Sequence, residues 1–450
     1  MDRTNKNDKA WKKIFEKYPI EEATKDGGFY EIKASEIKEF REPRLMTKFD
    51  TSDSVAYPLK KRGLNILPTS RSSYVIGHFN LYEEFPSLEG EKPTSITLPD
   101  FESLRVENIT SESNAIRALS LTHTLENFLD IPDETLYETI QGKAGTKTFA
   151  FDIDIANAGK LSHLTVEQQT VDVNGAQLEI DGGFESDSLI CIMEAKNIRH
   201  QDFNVRQLYF PYRLYKNNPN IRKPIRLVFS QYTNLTYYLY EYVFDNPNSF
   251  SSIRLVNKHI YTFEDCQITM RDLIDVWENT VPRFDDNQDH TDIPFIQADR
   301  FDRVISLVEH LMSADNNTLT TQEVIDFMGL VIRQAYYYPT AGQYLGLIDR
   351  VKSEEKRVEI CLTPEAKKIL GMGYRDRQLA FVKLMFRHKI FHDAFKFVID
   401  TGTIPEKKDI EELMEKYNVC NKTETLRRRA TTVRTWLNWI LELNDEDEDL

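Results

Sequence analysis

Cysteine is scarce. Cys191, Cys266, Cys361 and Cys420 are spread through 450 residues with no C-x-x-C pair. That argues against a disulfide framework or a zinc site and suits a reducing, cytoplasmic setting. Long apolar runs are absent too. None approaches the ~18 residues of a membrane span, and the polar N-terminus does not read as a signal peptide. His123, His163, His200 and His388 do not fall into a metal-spaced cluster. There is no Gly-x-x-x-x-Gly-Lys-Ser/Thr loop, which argues against an NTP-driven translocase, and no methyltransferase glycine loop. Positive charge is in deficit: 57 Lys and Arg stand against 72 Asp and Glu, a net charge of −15. Net charge governs solubility and long-range steering, whereas the local field at a contact surface decides phosphate binding, so a nucleic-acid partner survives this deficit. Part of the acidic excess sits in the tail from Asn444 to Asp449, which reads as a solvated, disordered end.

What is present looks like an ordinary soluble globular chain, 40% hydrophobic and 29% charged, long enough for two or three domains. Its most informative stretch runs from Gln177 to Asn197. Gln177, Glu179 and Asp181 alternate with Leu178 and Ile180, the period of a strand with one polar face. Gly182-Gly183 reads as a turn. Leu189 to Met193 is apolar throughout, as in a strand buried on both faces, and it ends in Glu194-Ala195-Lys196. Residues two apart share a strand face, so Glu194 and Lys196 point the same way. If the two strands pair, Asp181 lies about 5 Å away across the ladder. Two readings of these charges are open. One is a structural ion pair at a strand end. The other is a pair of carboxylates holding Mg²⁺, with an ammonium beside it to orient or deprotonate water. Glu-x-Lys alone decides nothing, since Glu31/Lys33, Glu36/Lys38, Glu354/Lys356 and Glu365/Lys367 repeat it.

Around this stretch the chain divides into residues 1–95, 96–290 and 291–450. The first segment opens on an amphipathic helix (Trp11, Ile14, Phe15, Tyr18) ended by Pro19 and continues as β-rich chain. Its basic run Lys60-Lys61-Arg62, with Arg71, is either a phosphate contact or a solvated edge. In the second segment Ser111 or Ser113 caps a helix bearing Ile116, Leu119, Leu125, Phe128 and Leu129. A short helix is expected from Pro132 to Ile140, then a strand from Thr148 to Ile155. Beyond the central hairpin, Asp202 or Asn204 opens a helix with Arg206, Gln207 and Arg213 on a polar face, which Pro211 must end or kink. Strands are expected over Ile225–Ser230, Tyr237–Phe244 and Ser252–Phe263. The third segment is mainly helical, joined to the core by the run from Ile293 to Ala298. Its helices include Arg300–Met312, one behind the capping box Thr320-Thr-Gln-Glu323, and another after Gly329. Lys356 to Leu362 reads as a wing strand. The last helix carries a stripe of Leu426, Ala430, Val433, Leu437 and Ile440. Two winged-helix-like units are expected, with Arg427, Arg428 and Arg434 either in a DNA groove or on a solvated or intersubunit face.

Glu179-Ile180-Asp181-Gly182-Gly183, Met193-Glu194-Ala195-Lys196-Asn197 and the run Arg206 to Arg213 resemble the PD-(D/E)XK nuclease superfamily. The wider likeness is to type II restriction endonucleases, and it extends over most of the chain. Ile180 stands where the pattern has proline, a residue that contacts no metal. The resemblance implies a mixed α/β restriction-endonuclease-like core that hydrolyses duplex DNA with Mg²⁺, leaving a 5′-phosphate and a 3′-hydroxyl. Asp181, Glu194 and the Ala195 carbonyl would hold the metal, and Lys196 would activate water. Glu179 is an extra ligand, a base or a structural carboxylate. Gln207 is placed to reach the scissile phosphate, and Arg206 and Arg213 to position it or to pack. Glu112 is a further carboxylate that spacing cannot place. A DNA methyltransferase encoded nearby is the expected functional partner, and a homodimer is left open. The alternatives are a repair or junction nuclease of the same fold, and a winged-helix DNA-binding regulator with an inactive core.

Overall fold

The computed structural model describes residues 6–88, 91–106, 109–156, 167–263, 268–283, 295–329, 336–352, 358–417, 419 and 423–444. His163, Cys266, Cys420, the acidic tail beyond Asn444 and the stretch just after Gly329 lie outside them. The strand Ile190–Lys196 is buried from Ile190 to Ala195. It sits near the middle of a seven-stranded sheet whose order runs 94–96, 253–263, 236–244, 225–233, 190–196, 177–185, 137–145. It runs parallel to Ile225–Thr233 and antiparallel to Gln177–Glu185. Its alternating side chains feed two layers. Ile190 and Ile192 pack with Leu208, Tyr209 and Phe210 of the helix Arg206–Lys216. Cys191, Met193 and Ala195 pack with Ile116 and Leu119 of the helix Glu112–Leu121. A strand covered by helices on both faces has to be apolar at every position.

Two expectations in this region are corrected, and one of two alternatives at Pro211 is removed. Gly182-Gly183 is not a turn: the strand continues through it to Glu185, and the chain reverses between Ser186 and Leu189. Against the neighbouring strand, Gly142 pairs with Ile180 but Ile140 pairs with Gly183. Two steps on one strand face three on the other, so an extra residue is inserted near Asp181-Gly182, a β-bulge. Residues 132–140 form no helix; Tyr137–Gly145 is the sheet's edge strand. Pro211 does not end its helix, which continues to Lys216. The hydrogen bond lost at Pro211 is offset by the burial of Leu208 to Arg213 in the aromatic layer around Phe149, Phe151 and Phe244. Ser111 is the cap of its helix, accepting from the Asn114 amide at 3.2 Å.

The amino-terminal half is β-rich, although short helices open it. Lys6–Lys17 buries Trp11 and Ile14 against a three-stranded antiparallel sheet of Phe29–Lys33, Ser73–Gly77 and Asn65–Pro68. This unit is tied to the central sheet just ahead of the helix bearing Gln207. Tyr82–Glu84 pairs with Asp202–Asn204, and the Asn204 amide donates to the Asp50 carbonyl at 2.8 Å.

The carboxy-terminal half is mainly helical. Its first part runs helix Phe301–Ser313, strand Thr318–Thr320, helix Thr321–Met328, helix Tyr337–Tyr344, then strands Ile348–Lys352 and Val358–Leu362. The three strands form one antiparallel sheet. The expected second unit of this kind is corrected: from Pro364 to Leu441 the described residues form five helices and no strand. Leu426, Ala430, Val433, Leu437 and Ile440 are all buried, so the predicted stripe does face the core.

Candidate active site

The pairing of Gln177–Glu185 with Ile190–Lys196 ends at Gly182 and Met193. Beyond it the bulge re-aims Asp181. Its Oδ2 accepts from the Ala195 amide at 3.0 Å, standing in for a ladder carbonyl. The glycines let neighbouring elements close in: a Cβ on Gly182 would lie 3.0 Å from Ile116, and one on Gly183 2.6 Å from Ile140. Ile116 lies on the helix whose first turn carries Glu112.

Lys196 is where these elements meet. Its Nζ lies 2.6 Å from Glu194 Oε1 and 2.9 Å from the Ala195 carbonyl. It is also 3.6 Å from Glu112 Oε1 and 3.7 Å from Asp181 Oδ2. Gln207 closes the other side, donating through Nε2 to Glu194, while its Oε1 is buried without a partner. Strand ends and the first turn of one helix thus deliver four oxygen groups to one ammonium, and the first turn of a second helix braces Glu194 through Gln207.

The charge balance is uneven. Burial pushes the Glu194 carboxyl up to about 8, against the pull of the Lys196 ammonium. Burial also raises Glu112. Burial alone would lower Lys196, but Glu194, Glu112 and Asp181 outweigh it and hold the amine protonated well above its usual range. Asp50, from the amino-terminal unit, adds its negative charge to both Glu194 and Lys196. Asp50 Oδ1 is buried without a partner and its other oxygen pairs with Lys48 at 3.4 Å. Four carboxylates therefore surround one enclosed ammonium, with Lys48 half-exposed at the rim.

Its donor atoms are all oxygen, the chemistry that suits Mg²⁺, which binds through one or two carboxylates and keeps other positions for water or phosphate. Among the described residues no three His, Cys, Asp or Glu are arranged to chelate a metal by side chains alone. Here the ammonium occupies the centre that Asp181, Glu194 and the Ala195 carbonyl share. Those three groups fit the metal the sequence implied, once the ammonium gives way.

The other predicted residues are placed less uniformly. Glu179 points to solvent one step further along the strand and makes no bond to the cluster. Arg206 is half-exposed at the start of its helix, its guanidinium 5.9 Å from the Phe210 ring. Of the two roles open for Arg213, the structure shows packing: it is buried, donating to the Tyr209 hydroxyl and the Pro247 carbonyl at 2.8 Å each, with Phe149 beneath it. A guanidinium used in that way packs the core. Arg427 and Arg428 are exposed, Arg428 donating to Gln297 at 3.2 Å, and Arg434 lies 3.8 Å from Glu406. In the first segment Lys60 pairs with Asp53 and Arg62 with Glu21, whereas Lys61 is exposed. Asp50 was missed by sequence reasoning. Nothing in Lys48-Phe49-Asp50 marks it, because only the docking of that loop on Asn204 brings it to the site.

Three family models match the chain, each described as a domain of unknown function: DUF6996 over residues 8–76, DUF6997 over 77–262 and DUF7226 over 303–445. No curated protein and no solved structure matches it. Glu112, Asp181, Glu194, Lys196 and Gln207 all fall within the second of these segments, and Asp50 within the first.

Proposed function

We propose that the protein is a Mg²⁺-dependent nuclease of the PD-(D/E)XK type, acting on duplex DNA as a type II restriction enzyme. The observation that carries this reading is the convergence of Asp181, Glu194, the Ala195 carbonyl and Lys196 on one point, at the end of a buried strand. Asp181, Glu194 and the Ala195 carbonyl would hold the metal, with Glu112 and Asp50 adding negative charge. When bound, the ion acidifies water and neutralises charge on the phosphate. Gln207 holds Glu194 in place. Lys196 is kept as an ammonium by the carboxylates, so it orients water and steadies the phosphate's developing charge. Its proton becomes easier to lose as those carboxylates are neutralised. In the balanced reaction water adds to phosphorus and the 3′ oxygen leaves with a proton, giving a 5′-phosphate and a 3′-hydroxyl.

The helix–strand–helix–helix–strand–strand order of residues 301–362 supports a winged-helix-like DNA-binding unit. One observation favours a second reading. The ammonium already closes the carboxylate cluster, as it would in an inactive core serving a DNA-binding regulator. Incubating purified protein and Mg²⁺ with several unmethylated plasmids separates the two. Discrete, sequence-defined fragments mean restriction, nicking or structure-dependent cutting means a repair or junction nuclease, and binding without cutting means the regulator. A neighbouring DNA methyltransferase gene is expected for the first outcome only.

A further inference from the structure

The strand that carries Asp181 and the edge strand beside it leave an open shelf. Leu178, Ile180 and Ala144 turn toward the layer of the helix Arg206–Lys216. Gln177, Glu179 and Lys143 alternate with them, so they point to the other face, and all three are exposed. The helix Glu112–Leu121 covers that same face at Gly182, where a Cβ would lie 3.0 Å from Ile116. Lys143 is paired in register with Glu179, two residues from Asp181, and Gly145 with Gln177, four residues away. At about 3.4 Å per residue, these levels lie roughly 7 and 14 Å along the strand from Asp181.

A second cation reaches the shelf from the amino-terminal unit. One guanidinium nitrogen of Arg71 lies 3.8 Å from where a Gly145 Cβ would stand. Directly opposed residues of an antiparallel pair share a face, so Arg71 lies on the face of Gln177 and Glu179. Arg71 belongs to the turn between Asn65–Pro68 and Ser73–Gly77. That turn is tied to the core, the Asn174 amide donating to the Thr69 carbonyl at 2.7 Å. In the same unit Lys60 pairs with Asp53 and Arg62 with Glu21. Among the described residues neither Arg71 nor Lys143 enters an ion pair or a side-chain hydrogen bond.

We infer that Arg71 and Lys143 form a track that holds the phosphate backbone of duplex DNA as it leaves the active site. The inference rests on the nuclease reading and adds the path of the substrate to it. Charge is the first argument. In a chain of net charge −15, two cations left unpaired on the face of Asp181 set the local field that decides phosphate binding. Glu179 opposes a phosphate there, but Lys143 stands directly across the ladder and offsets it, leaving Arg71 in surplus. Spacing is the second argument. The roughly 14 Å from Asp181 to the level of Arg71 is about the axial rise of four nucleotides of one strand. Surface chemistry is the third. The exposed side chains Gln177, Glu179 and Lys143 include none that is apolar, so the shelf lacks the apolar centre of a protein-binding patch. Gly145, without a side chain, lets a phosphate approach the backbone beneath Arg71.

The test measures binding of a short fluorescent duplex of mixed sequence to the full-length protein without Mg²⁺, by anisotropy over a series of salt concentrations. Arg71→Ala and Lys143→Ala should each reduce the slope of log affinity against log salt by about 0.9, and the double variant by about 1.8, one phosphate contact per residue. Arg71→Lys and Lys143→Arg should keep the parental slope, because either cation releases a counterion. Both side chains are exposed, so thermal unfolding of the variants should match the parent. In plasmid cutting with Mg²⁺, the double variant should need more DNA for half-maximal rate while its saturated rate stays parental. A parental slope in the double variant overturns the track, and continued cutting would then leave the nuclease reading standing. Reduced slopes in a protein that never cuts uphold the track and remove the nuclease reading. A parent that binds no duplex overturns the track outright.

Discussion

Lys196 illustrates how one residue's surroundings set its chemistry. An ammonium touching Glu194 and the Ala195 carbonyl, with Asp181 and Glu112 close by, is held protonated and in place. Lys196→Ala should slow DNA cleavage at least ~100-fold, a typical loss for a positioned acid or base, while DNA binding measured by gel shift is retained; near-normal cleavage would remove Lys196 from the chemistry. Glu194 gives a pH signature in metal-free protein. Its carboxyl is raised by burial from 4.5 to about 8. The folded chain therefore keeps a proton that the unfolded chain has released. That contribution to stability is fully present below about pH 4.5 and is lost as pH rises through about 8. Glu194→Gln should flatten the decline in chemical-denaturation stability across this window. An identical pH profile for the variant would show that Glu194 does not titrate there. Asp181, Glu194 and Lys196 could be placed together from the sequence because an acidic, alternating strand stands just upstream of the apolar run that ends in Glu194-Ala195-Lys196. Asp50 could not, because its role depends on a contact between distant segments.

Among the elements, the strand Gln177–Glu185 decides the site's shape. Its glycine pair was read as a turn, since Gly-Gly marks turns and strand bulges alike. What distinguishes the two is the crowding of Ile140 and Ile116 against the backbone, which no local pattern reveals. Gly183→Ala would set a methyl 2.6 Å from the Ile140 Cβ. It should cost about 1–3 kcal/mol of stability in denaturant unfolding, as overpacking does, and Ile140→Gly in the same chain, which removes that Cβ, should recover part of that. A neutral Gly183→Ala would mean that the strand is not held against its neighbour as described. The start of the edge strand Tyr137–Gly145, as far as Ile140, was read as the end of a helix because its burial lacks strict alternation: two register shifts interrupt it. Strands with unbroken apolar or alternating runs, such as Ile225–Thr233 and Thr148–Asp154, were legible from the start.

For the whole molecule, the sequence conveyed a β-rich first half and a helical second half, because hydrophobic period differs plainly between them. It did not convey how the amino-terminal unit closes on the central sheet through Asn204, or that, among the described residues, the helix–strand order of residues 301–362 is built once. The arginine-bearing last helix keeps its groove hypothesis with reduced means. Arg427 and Arg428 are exposed, whereas Arg434 faces Glu406. Replacing Arg427, Arg428 and Arg434 together by Ala should weaken duplex binding and flatten its salt dependence, with most of the loss traceable to Arg427 and Arg428. Unchanged binding at every salt concentration would assign recognition elsewhere. All of this depends on one claim, that the oxygens now gathered around the Lys196 ammonium are a cation site. Calorimetric titration of Mg²⁺ into wild type, Asp181→Ala, Glu194→Ala and Lys196→Ala protein tests it directly. The account predicts one site per chain, lost in both carboxylate variants and tightened in Lys196→Ala, where the competing ammonium is gone. No Mg²⁺ binding by either wild type or Lys196→Ala, or binding indifferent to Asp181 and Glu194, would contradict it.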